Sequence, residues 1–148
     1  MKSQVYFEDV NVGLEIPTLQ KSVNTVNITM YCSCVWLMDR IHFDYPFATQ
    51  RRGLPNIVAP GNMAGDYYVQ LLSNWAGDMG NVRKMSIQFR NFMLPGDTLT
   101  CGGKVTGKYV QDEKGFVELD LWIKNQNDIT CVPGKGCVEL PLRDAAKV

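Results

Sequence analysis

In "GFVELDLWIK", Val117, Leu119, Leu121 and Ile123 alternate with Phe116, Glu118, Asp120 and Trp122. A period of two belongs to a strand with one buried face, and the first set is the better core candidate. "KMSIQFRNFM" alternates as well, with Met85, Ile87, Phe89 and Asn91 opposite Ser86, Gln88 and Arg90. The turn-forming stretches "PGD", "DEKG" and "QND" separate four such segments, near 82–93, 97–111, 115–126 and 129–141. The second half of the chain therefore reads as an antiparallel meander.

The first half is mixed. In "PGNMAGDYYVQLLSNWAG", Met63, Ala64, Tyr67, Tyr68, Leu71, Leu72 and Trp75 recur every three or four residues. Pro60 and Gly61 open the stretch and Gly77 ends it, which predicts a helix over about 61–76. It is apolar around much of its circumference, as a helix wrapped by a sheet would be. In "NTVNITMYCSCVWLMDRI", Ile28, Tyr31, Cys32, Val35 and Met38 or Asp39 predict an earlier helix over about 28–38, with Asn24, Thr25 and Asn27 as cap candidates. "VYFEDVNVGLEIP" reads as an extended entry, followed by a short strand near 18–24, and "DYPFATQRRGLPN" as a loop. One long helix followed by a meander defines an α+β domain, and no linker or repeat divides residues 1–148.

Composition narrows the classes. Fifteen basic residues balance fifteen acidic ones, which argues against nucleic-acid binding and removes one brake on self-association. Five cysteines, no CxxC pair and a single histidine leave metal sites short of ligands. There is no apolar segment at the N-terminus of the signal-peptide kind, and no apolar run approaches the roughly 18–20 residues of a membrane span. The expectation is a reduced cytoplasmic protein with buried thiols and no membrane or nucleic-acid partner.

The chemistry gathers in "WLMDRIHFDYPFA", which holds that one histidine, His42. Histidine exchanges a proton near neutral pH, so it is the candidate base. Asp39 stands three residues before it and shares its face if the first helix runs through residue 42. Asp44 is expected to fix the loop. Arg40 suits either a ligand phosphate or a solvated ion pair; Arg51 and Arg52 could also meet ligand phosphates, but an ordinary solvated loop is the better reading. Tyr67, Tyr68 and Trp75 are expected in the core. Cys32 and Cys34 lack a second histidine to activate a thiol.

Four stretches in order resemble the MaoC-like hydratases and dehydratases of the hotdog superfamily: "YFEDVNVGLEIP", "RIHFDYPFA", "GLPNIVAPGNMAG" and "SIQFRNFMLPGDTLTCGGKV". The nearest likeness is to members with an Arg-Ile-His motif. The resemblance implies a hotdog fold, a curved antiparallel sheet around the 61–76 helix, with the 28–38 helix carrying the histidine at its end. It implies reversible addition of water to a 2-enoyl thioester, giving a 3-hydroxyacyl thioester. The acyl group would ride on coenzyme A or a carrier protein, in a homodimer or larger assembly, with no metal or organic cofactor.

Residue by residue, His42 matches the family's catalytic histidine and Gly61 the backbone donor to the thioester oxyanion. Asp39 is the candidate carboxylate partner. Pro60, Asn62 and Arg40 are the substrate-binding candidates, Asn62 being better suited to capping the helix. The commoner family pattern has an aspartate five residues before the histidine, where this chain has Leu37. Three outcomes follow: Asp39 replaces it, His42 works without it, or the chain is an acyl-binding subunit beside a catalytic hotdog partner. A hotdog thioesterase is a further alternative, with Asp66 as its carboxylate.

Overall fold

Val117, Leu119, Leu121 and Ile123 are all buried, so the alternation in the fourth strand does mark the inner face. The structure, a computed structural model, describes residues 4–143. Five strands, β1 (Leu19–Ser22), β2 (Asn81–Ile87), β3 (Thr98–Gln111), β4 (Lys114–Lys124) and β5 (Thr130–Leu140), form one sheet in the order β1-β3-β4-β5-β2. Every neighbouring pair is antiparallel. β2 ends earlier than predicted, although Gln88 and Arg90 still donate to Pro133 and Cys131 at 2.9 Å each, so pairing runs on past the strand proper.

The sheet curls around α2 (Gly61–Ala76), whose bounds match the prediction. Met63, Ala64, Tyr68, Leu71, Leu72, Trp75 and Ala76 are buried against the sheet's inner face. Two glycines on β5 let the helix seat closely. A Cβ at Gly136 would lie 3.2 Å from Leu72 Cδ1, and one at Gly134 would lie 3.5 Å from Tyr68 Cε2 and 2.9 Å from the Ser86 carbonyl oxygen of the adjacent β2. Tyr68 is fully buried and its hydroxyl donates to the Val132 carbonyl, which ties α2 to β5. Tyr67, its neighbour, is only half-buried, with the Lys21 ammonium 5.2 Å over its ring.

The first helix departs from expectation. α1 spans Thr25–Cys34, starting and ending earlier than the predicted 28–38. Asn24 supplies its N-cap, accepting from the Asn27 N–H at 2.8 Å. At the other end Trp36 adopts a left-handed φ of 55°, and the Leu37 N–H donates back to the Cys32 carbonyl at 2.9 Å. That is the Schellman arrangement, normally built on glycine. The helix therefore stops well short of His42, which sits on a separate 3-10 turn, Arg40–His42. The predicted loop also contains a π-helical turn at Phe47–Arg51.

All five cysteines are free, and burial pushes the Cys101 thiol up to about 12, out of the reactive range. Among the described residues, no helix is long and apolar enough to cross a membrane and no cluster of three His, Cys, Asp or Glu side chains could hold a metal ion.

Candidate active site

His42 is 8% exposed and has, among the described residues, one ring partner, the Val58 carbonyl oxygen, 2.7 Å from Nδ1. A carbonyl only accepts, so Nδ1 carries the proton in this bond. In the neutral ring, Nε2 then keeps its lone pair and is free to accept a proton. A second bond braces the arrangement, from the Val58 N–H to the Ile41 carbonyl at 3.2 Å. The histidine turn is thus stitched to the buried segment 57–60, and the Ala59 N–H fixes that segment to the Met93 carbonyl at 2.9 Å.

Three residues after Val58 the central helix begins. Even fully extended, that step spans at most about 11 Å. Pro60 is the N-cap residue and brings no side-chain cap. Met63 bonds back to the Pro60 carbonyl at 3.1 Å, leaving the Gly61 and Asn62 N–H groups without an intrahelical partner. Such donors, at the positive end of a helix dipole, suit a developing oxyanion. Asn62 does not cap the helix as expected: it lies inside the first turn with its side chain exposed. Glycine at 61 admits a ring, since a Cβ there would stand 2.6 Å from Phe89 Cζ.

Asp39 does not share a helix face with His42. Asp39 caps the histidine's own turn, accepting from the Ile41 N–H at 3.2 Å, and makes no ion pair with His42 among the described residues. The shared-face geometry needed a continuous helix, and α1 ends too early to supply one. Asp39→Asn, which keeps the accepting oxygen, should leave kcat within a few-fold of the parent, whereas Asp39→Ala should lower it further by loosening the turn. A loss of about 100-fold or more in the asparagine variant would instead mark the carboxylate as a proton carrier.

Asp44 holds the structural role expected of it. Its Oδ2 takes Arg40 Nε and Nη2 at 2.9 and 2.6 Å, and its Oδ1 takes the Phe47 N–H at 3.0 Å. The Arg40 guanidinium, and after it the Phe47 N–H, hold the Asp44 carboxyl below the usual carboxylate range. Arg40 is exposed and also lies 4.4 Å over the Phe47 ring. Asp66 accepts from the Tyr31 hydroxyl at 2.7 Å; burial first, then this carboxylate, push the phenol upward. Leu37 packs against the core.

Sequence reading missed two contributors. Val58 acts through a backbone carbonyl, which no residue type announces. Phe89 was legible as a strand residue, in register with Met85 and Ile87, but its seat on Gly61 depends on how the sheet curls.

A curved antiparallel sheet wrapped around one helix is the hotdog fold. No protein-family profile and no curated protein sequence matches the chain. Solved structures do. R-hydratase PhaJ1 from Pseudomonas aeruginosa, in the unliganded form, superposes with a TM-score of 0.84 at 16% identity, over 95% of this chain and 88% of that one. The MaoC-like dehydratase from Rhodospirillum rubrum gives 0.82 at 16%, over 94% and 98%. The ChsH1-ChsH2 complex from Mycobacterium tuberculosis gives 0.77 at 17%, over 88% and 98%. At these identities the likeness is one of fold.

Proposed function

We propose that this chain adds water reversibly to a 2-enoyl-CoA, giving a 3-hydroxyacyl-CoA. The observation that carries the reading is the His42–Val58 bond, which leaves Nε2 as an acceptor on a turn tied to the segment that leads into α2. In the forward direction Nε2 takes a proton from water as its oxygen bonds to Cβ. The electron pair of the alkene moves toward the thioester, and the charge gathering on its oxygen meets the Gly61 N–H. The proton then passes from His42 to Cα, restoring the neutral ring. Asp39 holds the turn that presents the histidine, Pro60 and Asn62 flank the oxyanion donor, and Arg40 faces the polar part of the substrate. Every proton movement comes from His42 and solvent, so the scheme calls for no metal or organic cofactor; coenzyme A enters with the substrate.

The proposed setting is fatty-acyl metabolism in the cytoplasm. β2 is an edge strand of the sheet, which supports pairing with a second hotdog chain across that edge. Among the described residues His42 makes no ion pair with a carboxylate, which favours one other reading, a non-catalytic acyl-binding subunit of a heteromeric hydratase; one structural neighbour is itself a two-chain complex. Thioester hydrolysis at Asp66 is less well supported, because that carboxylate is already engaged by Tyr31.

The test is the purified chain alone against enoyl-CoA substrates of different length and branching. Loss of enone absorbance without release of free thiol is the expected result. Turnover only after addition of a second hotdog chain would transfer the proposal to the subunit reading, and thiol release would replace it with hydrolysis.

A further inference from the structure

No left-handed backbone requires a glycine at position 61, because its φ lies outside that region. What excludes a side chain is the ring of Phe89. Its Cζ, Cε1 and Cε2 would stand 2.6, 2.8 and 3.1 Å from a Cβ on Gly61. The ring thus takes the place that a side chain of residue 61 would fill.

The sheet puts it there. Met85, Ile87 and Phe89 alternate along one face of β2 and its extension. Met85 Cε and Ile87 Cδ1 each come within 3.9 Å of where a Gly65 Cβ would be, and Phe89 reaches Gly61 about one helical turn earlier. The Gln88 and Arg90 N–H groups, on either side of Phe89, donate to β5 and fix its backbone. The side chain lies against Gly61 and is still 61% exposed.

A helical Cβ tilts toward the N-terminus of its helix. A ring in that place stands ahead of the first turn, on the side toward which the unpaired Gly61 and Asn62 N–H groups point. A thioester oxygen accepting from Gly61 therefore brings its carbonyl carbon, and the two atoms bonded to that carbon, beside an apolar wall. Of those two atoms, the sulfur carries only the chain that continues from it. Cα can also carry a branch.

We propose that Phe89 is a specificity-determining residue, whose ring leaves no room for a substituent on Cα and restricts the protein to 2-enoyl thioesters unbranched at that carbon. The inference rests on the acyl-thioester reading and deepens it, from a class of reaction to a class of substrate.

The test compares a 2-enoyl-CoA with its 2-methyl counterpart of equal chain length. In the parent, kcat/KM should favour the unbranched substrate. In Phe89→Ala that preference should fall about tenfold or more, the scale on which one methyl-sized group is discriminated in an apolar pocket. Loosened packing would lower both values together and leave their ratio alone. Phe89→Leu should shift the ratio the same way by less, and it serves equally if the alanine variant fails to fold. Gly61→Ala should severely slow hydration of the unbranched substrate in the parent. It should cost much less in Phe89→Ala, where the new methyl group enters the space the ring has left; purely additive losses would remove the contact on which the proposal stands.

A parent that hydrates both substrates equally well, or an unchanged ratio in the folded variants, overturns the proposal. So does a change confined to the sedimentation coefficient, which would assign the ring to subunit pairing. If the parent hydrates neither thioester, the hydratase reading falls, and calorimetry with butanoyl-CoA and 2-methylbutanoyl-CoA decides the wall by itself. Discrimination that the parent shows and Phe89→Ala loses keeps it; equal discrimination in both proteins removes it.

Discussion

His42→Ala should lower kcat for enoyl-CoA hydration by about 10²–10⁴-fold, the range over which a positioned proton-transfer group acts. KM should change much less, because the imidazole is assigned to the reacting water and not to ground-state binding. The substitution also has a structural cost. The ring is almost fully buried, and its loss leaves the Val58 carbonyl without its donor. An unsatisfied buried acceptor costs about 1–3 kcal/mol, so some loss of Tm is expected with the loss of rate. The two effects are separated by assaying well below the variant's Tm, with its circular dichroism compared with the parent's. Near-parental turnover in a folded His42→Ala protein would remove the proposed base.

The largest expected effect on stability lies at Tyr68. Truncation to alanine empties the space between α2 and β5 and removes the donor to the Val132 carbonyl. Large aromatic truncations in cores cost about 3–5 kcal/mol. In a domain of about 150 residues that corresponds to a fall of roughly 6–20 °C in Tm. Tyr67→Ala is the internal control: one position along, half-buried and outside the fully buried core, it should cost clearly less. Tyr68→Phe keeps the packing and isolates the hydroxyl. Equal Tm losses at 67 and 68 would mean that the helix is not seated as described.

What was legible in the sequence follows from how local each signal is. The meander and α2 are long, and their periods repeat often enough to outvote any single position; α2 ends where Gly77 ends the pattern. α1 was harder because its stop is built on Trp36 in a left-handed conformation, a place where glycine is expected. Val35 and Met38 meanwhile continued the helical spacing past the true end. The π turn was hidden by Pro46 and Gly53, which read as breakers although the first only opens it.

His42 and Gly61 stood out through motif context, and the Val58 bonds join the turn of the first to the segment that leads into the second. The partner of the histidine was not legible, because a backbone carbonyl has no residue type. Asp39 shows how a local partner intervenes. Its side chain had the right chemistry and spacing, but the nearest orphan donor was the Ile41 N–H, and a local cap competes strongly with a longer-range pair.

Leu37 has a structural part of its own. It is more than a different letter at one position, because the leucine closes the Schellman turn after α1 and packs against the core. An aspartate placed there now would lose those apolar contacts and enter surroundings that penalise its charge. A carboxylate at position 37 would therefore be disfavoured unless α1's end and its neighbours changed together.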